Sequence, residues 1–140
     1  ASYEPYLSQV RAMGADKGRI LATTLDHPCI VDTLAFQPAF IQANPEAVRR
    51  VVKSWFDAVE MIKSEPDRSF EIMGKRVNQT AEQFKASAAF IEWLDAAKNK
   101  EYVAKGLPEF QQKAHAVQRE TGVVRQEVDL SKLLDTRFLG

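Results

Sequence analysis

The sequence predicts a helix-rich α/β chain with two short strands and about six helices. Three observations carry that expectation. The segments RILATT (residues 19–24) and IVDTLAF (residues 30–36) concentrate β-branched and other apolar residues on either side of LDHPC, whose proline separates them. Beyond Phe36, apolar residues recur at spacings of three and four, the period of a helix with one covered face. Prolines at 38, 45, 66 and 108 each stand just ahead of such a pattern, where a first helical turn tolerates the missing N–H.

Taken in order, Pro5 opens a short amphipathic stretch carrying Leu7, Val10 and Met13, which Gly14 ends; residues 14–18 then form a polar turn. The two strands follow. Pro38 starts a helical turn with Phe40 and Ile41, and Asn44-Pro45 caps a long helix. Along that helix Val48, Val51, Val52, Trp55, Val59 and Ile62 share one face, with Arg49, Arg50, Lys53, Asp57 and Glu60 mostly elsewhere. Trp55 keeps step with the valines and reads as core, and the Arg49, Arg50 and Lys53 group as a solvated face or a docking patch. Pro66 restarts the pattern with Phe70, Met73 and Val77, and Thr80 with Gln83 matches a capping box ahead of Phe84 and Ala88; two shorter helices are expected to pack on the long one. Ile91, Trp93 and Leu94 break the period as a connector. Residues 98–106 lead to Pro108 and a helix whose buried face carries Phe110, Ala114 and Val117; Gly122 ends it, and Asp129 caps a last turn bearing Leu130, Leu133 and Leu134.

Composition narrows the functional classes. With 140 residues, 45% of them hydrophobic and 27% charged, a modest core is within reach and disorder is not expected. Nineteen basic and nineteen acidic side chains cancel, so the chain lacks the surplus that drives binding to nucleic acid or anionic lipid. No run approaches the roughly 20 apolar residues that span a bilayer, so direct membrane insertion is not expected. Cys29 excludes an internal disulfide, and its apolar neighbours suggest a buried thiol. His27, Cys29 and His115 offer only one close pair, which is too few for a metal centre. No nucleophile elbow, phosphate-cradling loop or HExxH helix occurs, so neither catalysis nor a cofactor is expected.

YEP followed by a helix, GRILATTLDHP, the long run IVDTLAFQPAFIQANPEAVRRVVKSWFDAVEMIKSEPDRSFEIM, WLDAAKNKEYV and DLSKLLDTRFL together resemble the C-terminal half of the solute-binding proteins of ABC importers, of the nitrate, sulfonate, taurine and thiamine-precursor type. The resemblance covers nearly the whole chain, and its most specific part is Ile30–Met73. It implies a partial type II periplasmic-binding-protein fold. Residues 1–29 would be the end of the second lobe and the approach to the hinge, and residues 30–140 the hinge strand and C-terminal helices of the first lobe. The whole protein would be roughly twice as long, and the chain, which opens on Ala1, would begin inside a lobe.

The resemblance further implies an extracytoplasmic or periplasmic receptor that traps a small solute by closing two lobes and passes it to an ABC permease, with no bond made or broken. The solute would be a sulfonate, taurine, nitrate or a pyrimidine. The same fold could instead serve as the ligand-sensing input of a signalling protein, and relatives that synthesise the thiamine pyrimidine carry their key residues upstream of this region. Tyr3, Glu4, Asp26 and His27 are the candidate ligand-binding residues, being polar groups at strand ends and near the hinge. Glu4 would favour an amine or ring nitrogen over an anion, or else simply sits well at a helix N-terminus. Tyr3, which stands where the family usually has tryptophan, would stack on the solute or pack locally. Asp26 and His27 lie in a turn that Asp26 itself could stabilise. Asp32, a charge within an apolar strand, reads as a structural feature of the hinge strand. Alone, the chain would leave its strand edges open, so self-association between copies is expected.

Overall fold

The computed structural model describes residues 3, 6–24, 26 and 29–139. Seven α-helices run through them: α1 (Tyr6–Ala12), α2 (Pro38–Ala43), α3 (Pro45–Ser64), α4 (Pro66–Arg76), α5 (Ala81–Ala88), α6 (Ala96–Glu101) and α7 (Leu107–Glu120). A π-helical turn, Tyr102–Gly106, joins α6 to α7, and two 3-10 turns, Leu130–Lys132 and Thr136–Phe138, follow.

Among the described residues there is no strand, which corrects the expected α/β class and with it the partial type II periplasmic-binding-protein fold. Residues 19–23 and 29–36 have the composition of strands but no ladder. The reason is that β-propensity measures how well a side chain suits a pleated, half-covered surface, and a single run becomes a strand only against a partner. Neither run has a hydrogen-bonded partner strand among the described residues. Cys29, expected to be buried, is exposed for the same reason.

The helical expectations rest on local chemistry, and the structure has those elements. Pro38, Pro45 and Pro66 each open a helix. Thr80 and Gln83 close the capping box in both directions: Gln83 N–H donates to Thr80 Oγ1 at 3.2 Å and Thr80 N–H to Gln83 Oε1 at 2.9 Å. Such a cap is worth about 1 kcal/mol. Asp95 Oδ1 accepts from Lys98 N–H at 2.9 Å at the start of α6. Gly122 follows α7 at φ +72° and returns its N–H to Arg119 O at 3.1 Å.

The chain divides into two compact units, Ala1–Pro28 with Ala58–Trp93, and Cys29–Asp57 with Leu94–Gly140. In the first, α4 and α5 pack on each other, the Phe70 and Phe84 rings lying 6.2 Å apart. Ser69 Oγ donates to Met61 O at 3.2 Å and ties α4 to the last turns of α3. The loop after α4 folds back over Gly74, whose carbonyl accepts from Val77 N–H at 3.0 Å and Gln79 N–H at 2.9 Å, with Asn78 in the left-handed region at φ 55°. In the second unit the π turn contacts both α6 and α7, and α7 contacts the turn Leu130–Lys132. Pro108 explains the π turn: in an unbroken α-helix its ring would strike the carbonyl of Ala104. Here Leu107 N–H instead donates to Tyr102 O, five residues back, which widens the helix at that point.

Among the described residues the buried apolar set is small, namely Val48, Val59, Ala88 and Leu107. The α3 stripe is therefore only partly covered. Val48 and Val59 are buried, Val52 and Ile62 half-buried, and Val51 and Trp55 are 44% and 41% exposed. Amphipathic spacing specifies a face that needs cover, and the described residues supply only part of that cover.

Candidate functional site

Two of the four candidate ligand-binding residues, Glu4 and His27, lie outside the described residues. Tyr3 is 73% exposed. Its carbonyl accepts from Leu7 N–H at 3.0 Å, which sets the entry into α1, and its ring meets Tyr6 edge-on with centroids 5.7 Å apart. Asp26 is exposed as well, and its polar groups are used in a turn. Oδ2 accepts from Thr23 N–H and Thr23 Oγ1, each at 3.2 Å, and Asp26 N–H donates to Thr23 O at 3.2 Å. A carboxylate held in this way closes a turn in the manner typical of aspartate. Tyr3 and Asp26 make these contacts with different neighbours and do not form a joint site through them.

The first unit also holds a concavity of about 260 Å³ between the end of α1 and the turn after it, lined by Val10, Arg11, Gly14, Gly18, Arg19 and Ile20 among others. Gly14, at φ +93°, reverses the chain there and brings residues 10–11 and 19–20 to one hollow. Arg11 places its guanidinium carbon 4.6 Å from the centre of the Phe90 ring, which offers the cation a π face. Two arginines beside apolar side chains suit a small organic anion. The hollow is open to solvent, so water competes for the same charge. Sequence reading passed over these arginines because eight positions separate them; the glycine turn that joins them was legible, but not the direction it sends the chain.

The second unit carries a concavity of about 360 Å³, lined by Lys100, Val103, Ala104, Thr136 and Leu139, where the π turn meets the last 3-10 turn. On α7, His115 is largely covered, and its Nε2 lies 3.3 Å from Glu127 Oε1. Glu127 Oε2 is 3.8 Å from Arg119 Nε, and Arg119 Nη1 donates to Arg125 O at 2.5 Å. These contacts fold residues 125–127 back along α7.

Charge on the helices is mostly paired in solvent. Arg49 contacts Glu46 at 3.4 Å and lies 5.6 Å over the Phe138 ring, and Lys53 donates to Asp57 at 2.6 Å. The carboxylates whose pKa departs from the ordinary range are all lowered by such neighbours. Lys75 holds Glu71 down and Lys113 holds Glu109 down, chiefly by hydrogen bonding. Ser131 and then Lys132 lower Asp129, and Arg137 lowers Asp135. These are shifts of solvated ion pairs and turn contacts, in which hydrogen bonding and opposite charge outweigh burial.

Among the described residues no group of three or more His, Cys, Asp or Glu is placed to hold a metal ion, and no helix is long and apolar enough to cross a membrane. No protein-family model matches the chain, and neither a curated protein nor a solved structure is significantly similar to it.

Proposed function

We propose that this chain is part of an extracytoplasmic receptor that binds a small solute for an ABC importer, and that the solute is an organic anion of the sulfonate or taurine type. The observation that carries the reading is the run Ile30–Met73, whose order of apolar segment, proline-led turn, NPEAV helix start and aromatic-rich helix resembles that family. The hollow lined by Arg11 and Arg19 supports the choice of solute. It lies within residues 1–29, the part that the resemblance makes the end of the second lobe and the approach to the hinge, and pairs positive charge with Val10 and Ile20.

The chain in its full natural polypeptide is to be titrated with taurine, aliphatic sulfonates, nitrate and pyrimidines, following both heat of binding and thermal stability. A sulfonate or taurine at a hundred times its Kd should stabilise the folded state by about 2.7 kcal/mol. Replacing Arg19 by alanine should weaken that binding about ten- to hundredfold, the value of a hydrogen bond to a charged group. Stabilisation by a pyrimidine or nitrate alone would keep the receptor and discard the anion. No response to any of them would discard the receptor.

A further inference from the structure

We propose that Phe90 is a positioning residue for the anion: its ring holds the Arg11 guanidinium in place at the hollow, so that Arg11 and Arg19 meet one anionic head together. The inference rests on the solute-binding reading of that hollow and adds to it a residue outside the lining.

Core packing does not fix Arg11. Helix α1 buries none of its residues, and Arg11 is itself exposed. An arginine side chain has many rotamers, and freezing such a side chain on a ligand weakens binding by about two- to tenfold. The Phe90 ring offsets that loss in advance. Its centre lies 4.6 Å from the Arg11 guanidinium carbon, inside the roughly 6 Å over which a ring face attracts a cation.

The ring is in turn held by the packed part of the unit. Phe90 follows α5 on a turn in which Ala89 N–H donates to Lys85 O at 3.2 Å, Phe90 N–H to Ser87 O at 3.2 Å and Ile91 N–H to Ala88 O at 3.0 Å. Ser87 and Ala88, which anchor that turn, are buried, and Ser87 Oγ donates to Gln83 O at 3.2 Å. Contact therefore runs from the packed α4 and α5 through Phe90 to Arg11, within one compact unit. On the other side of the hollow, Gly14 at φ +93° brings Arg19 back toward the same space. A π face attracts the guanidinium by its charge and takes up none of its N–H donors, so the ring contact and an anion are compatible. Leucine at position 90 would offer bulk without the ring's quadrupole, and tryptophan would offer a stronger one.

The full natural polypeptide tests this, with taurine and ethanesulfonate as probes and the heat of binding as readout. Phe90→Leu should weaken binding about two- to tenfold, and Phe90→Trp should restore it. In an Arg11→Ala background Phe90→Leu should change nothing further, since a positioning residue has no effect once the group it positions is gone. Before any ligand is added, the ring should shift the Arg11 Hδ protons upfield in NMR spectra, a shift lost in Phe90→Leu and regained in Phe90→Trp. Unchanged affinity in Phe90→Leu, while Arg19→Ala weakens binding, would overturn the inference and leave the receptor standing. An equal loss in the Arg11→Ala background would also overturn it, because Phe90 would then act by another route. If the unaltered protein binds neither probe, the anion reading itself falls and takes the inference with it.

Discussion

Gly74 and Asp135 show how single residues are set by what lies beside them. Gly74 is buried in α4, and a Cβ there would stand 2.9 Å from Gln79 O and 3.0 Å from Thr80 O, both backbone atoms that cannot swing aside. Glycine to alanine within a helix ordinarily gains about 1 kcal/mol. At Gly74 the sign should reverse, with a loss of about 1–3 kcal/mol from overpacking, read by chemical denaturation. Gly18, which has nothing within 4 Å of such a Cβ, is the control and should lose nothing when changed to alanine. Asp135 accepts from Arg137 Nε at 2.8 Å and from Nη2 at 2.5 Å, and this guanidinium holds its pKa below the ordinary aspartate value. A carboxyl depressed in the folded state contributes stability that is present above its unfolded pKa and lost as the pH falls through its folded pKa. Carboxyl carbon shifts followed by NMR should therefore place the Asp135 midpoint below that of a free aspartate. Arg137→Ala should return it to the ordinary range, and an unchanged midpoint would discard the pair as its cause.

At the level of elements, what was legible in the sequence divides by range. The capping box at Thr80, the prolines opening α2, α3 and α4, and the glycine after α7 act within about one turn, so the residues that make each signal also complete it. The two strand runs depend on partners distant in sequence or in another molecule, which no local pattern supplies. The same limit hid the Arg11 and Arg19 hollow, while the turn at Asp26 was open to view because Thr23 is three residues away. The π turn is an intermediate case. Pro108 announces a break, but the widened turn also needs Gly106, because Tyr102 lays its ring 2.5 Å from where a Cβ would be. Here the obstacle is a side chain. Gly106→Ala should displace the Tyr102 ring, seen as a change in its NMR shifts, and cost about 1 kcal/mol, at the lower end of overpacking penalties. A loss as large as that at Gly74, or an undisturbed ring, would show that the π turn is held by something other than this contact.

For the molecule as a whole, the buried apolar set among the described residues is small for a chain of 140 residues, while Ile30, Leu34, Val51 and Trp55 stay exposed. The denaturant slope of unfolding scales with the area exposed in the transition. The slope should therefore be lower than a compact domain of this length gives. A slope at the full compact value in dilute solution would mean that the apolar side chains exposed at Ile30, Leu34, Val51 and Trp55 find cover within a single chain.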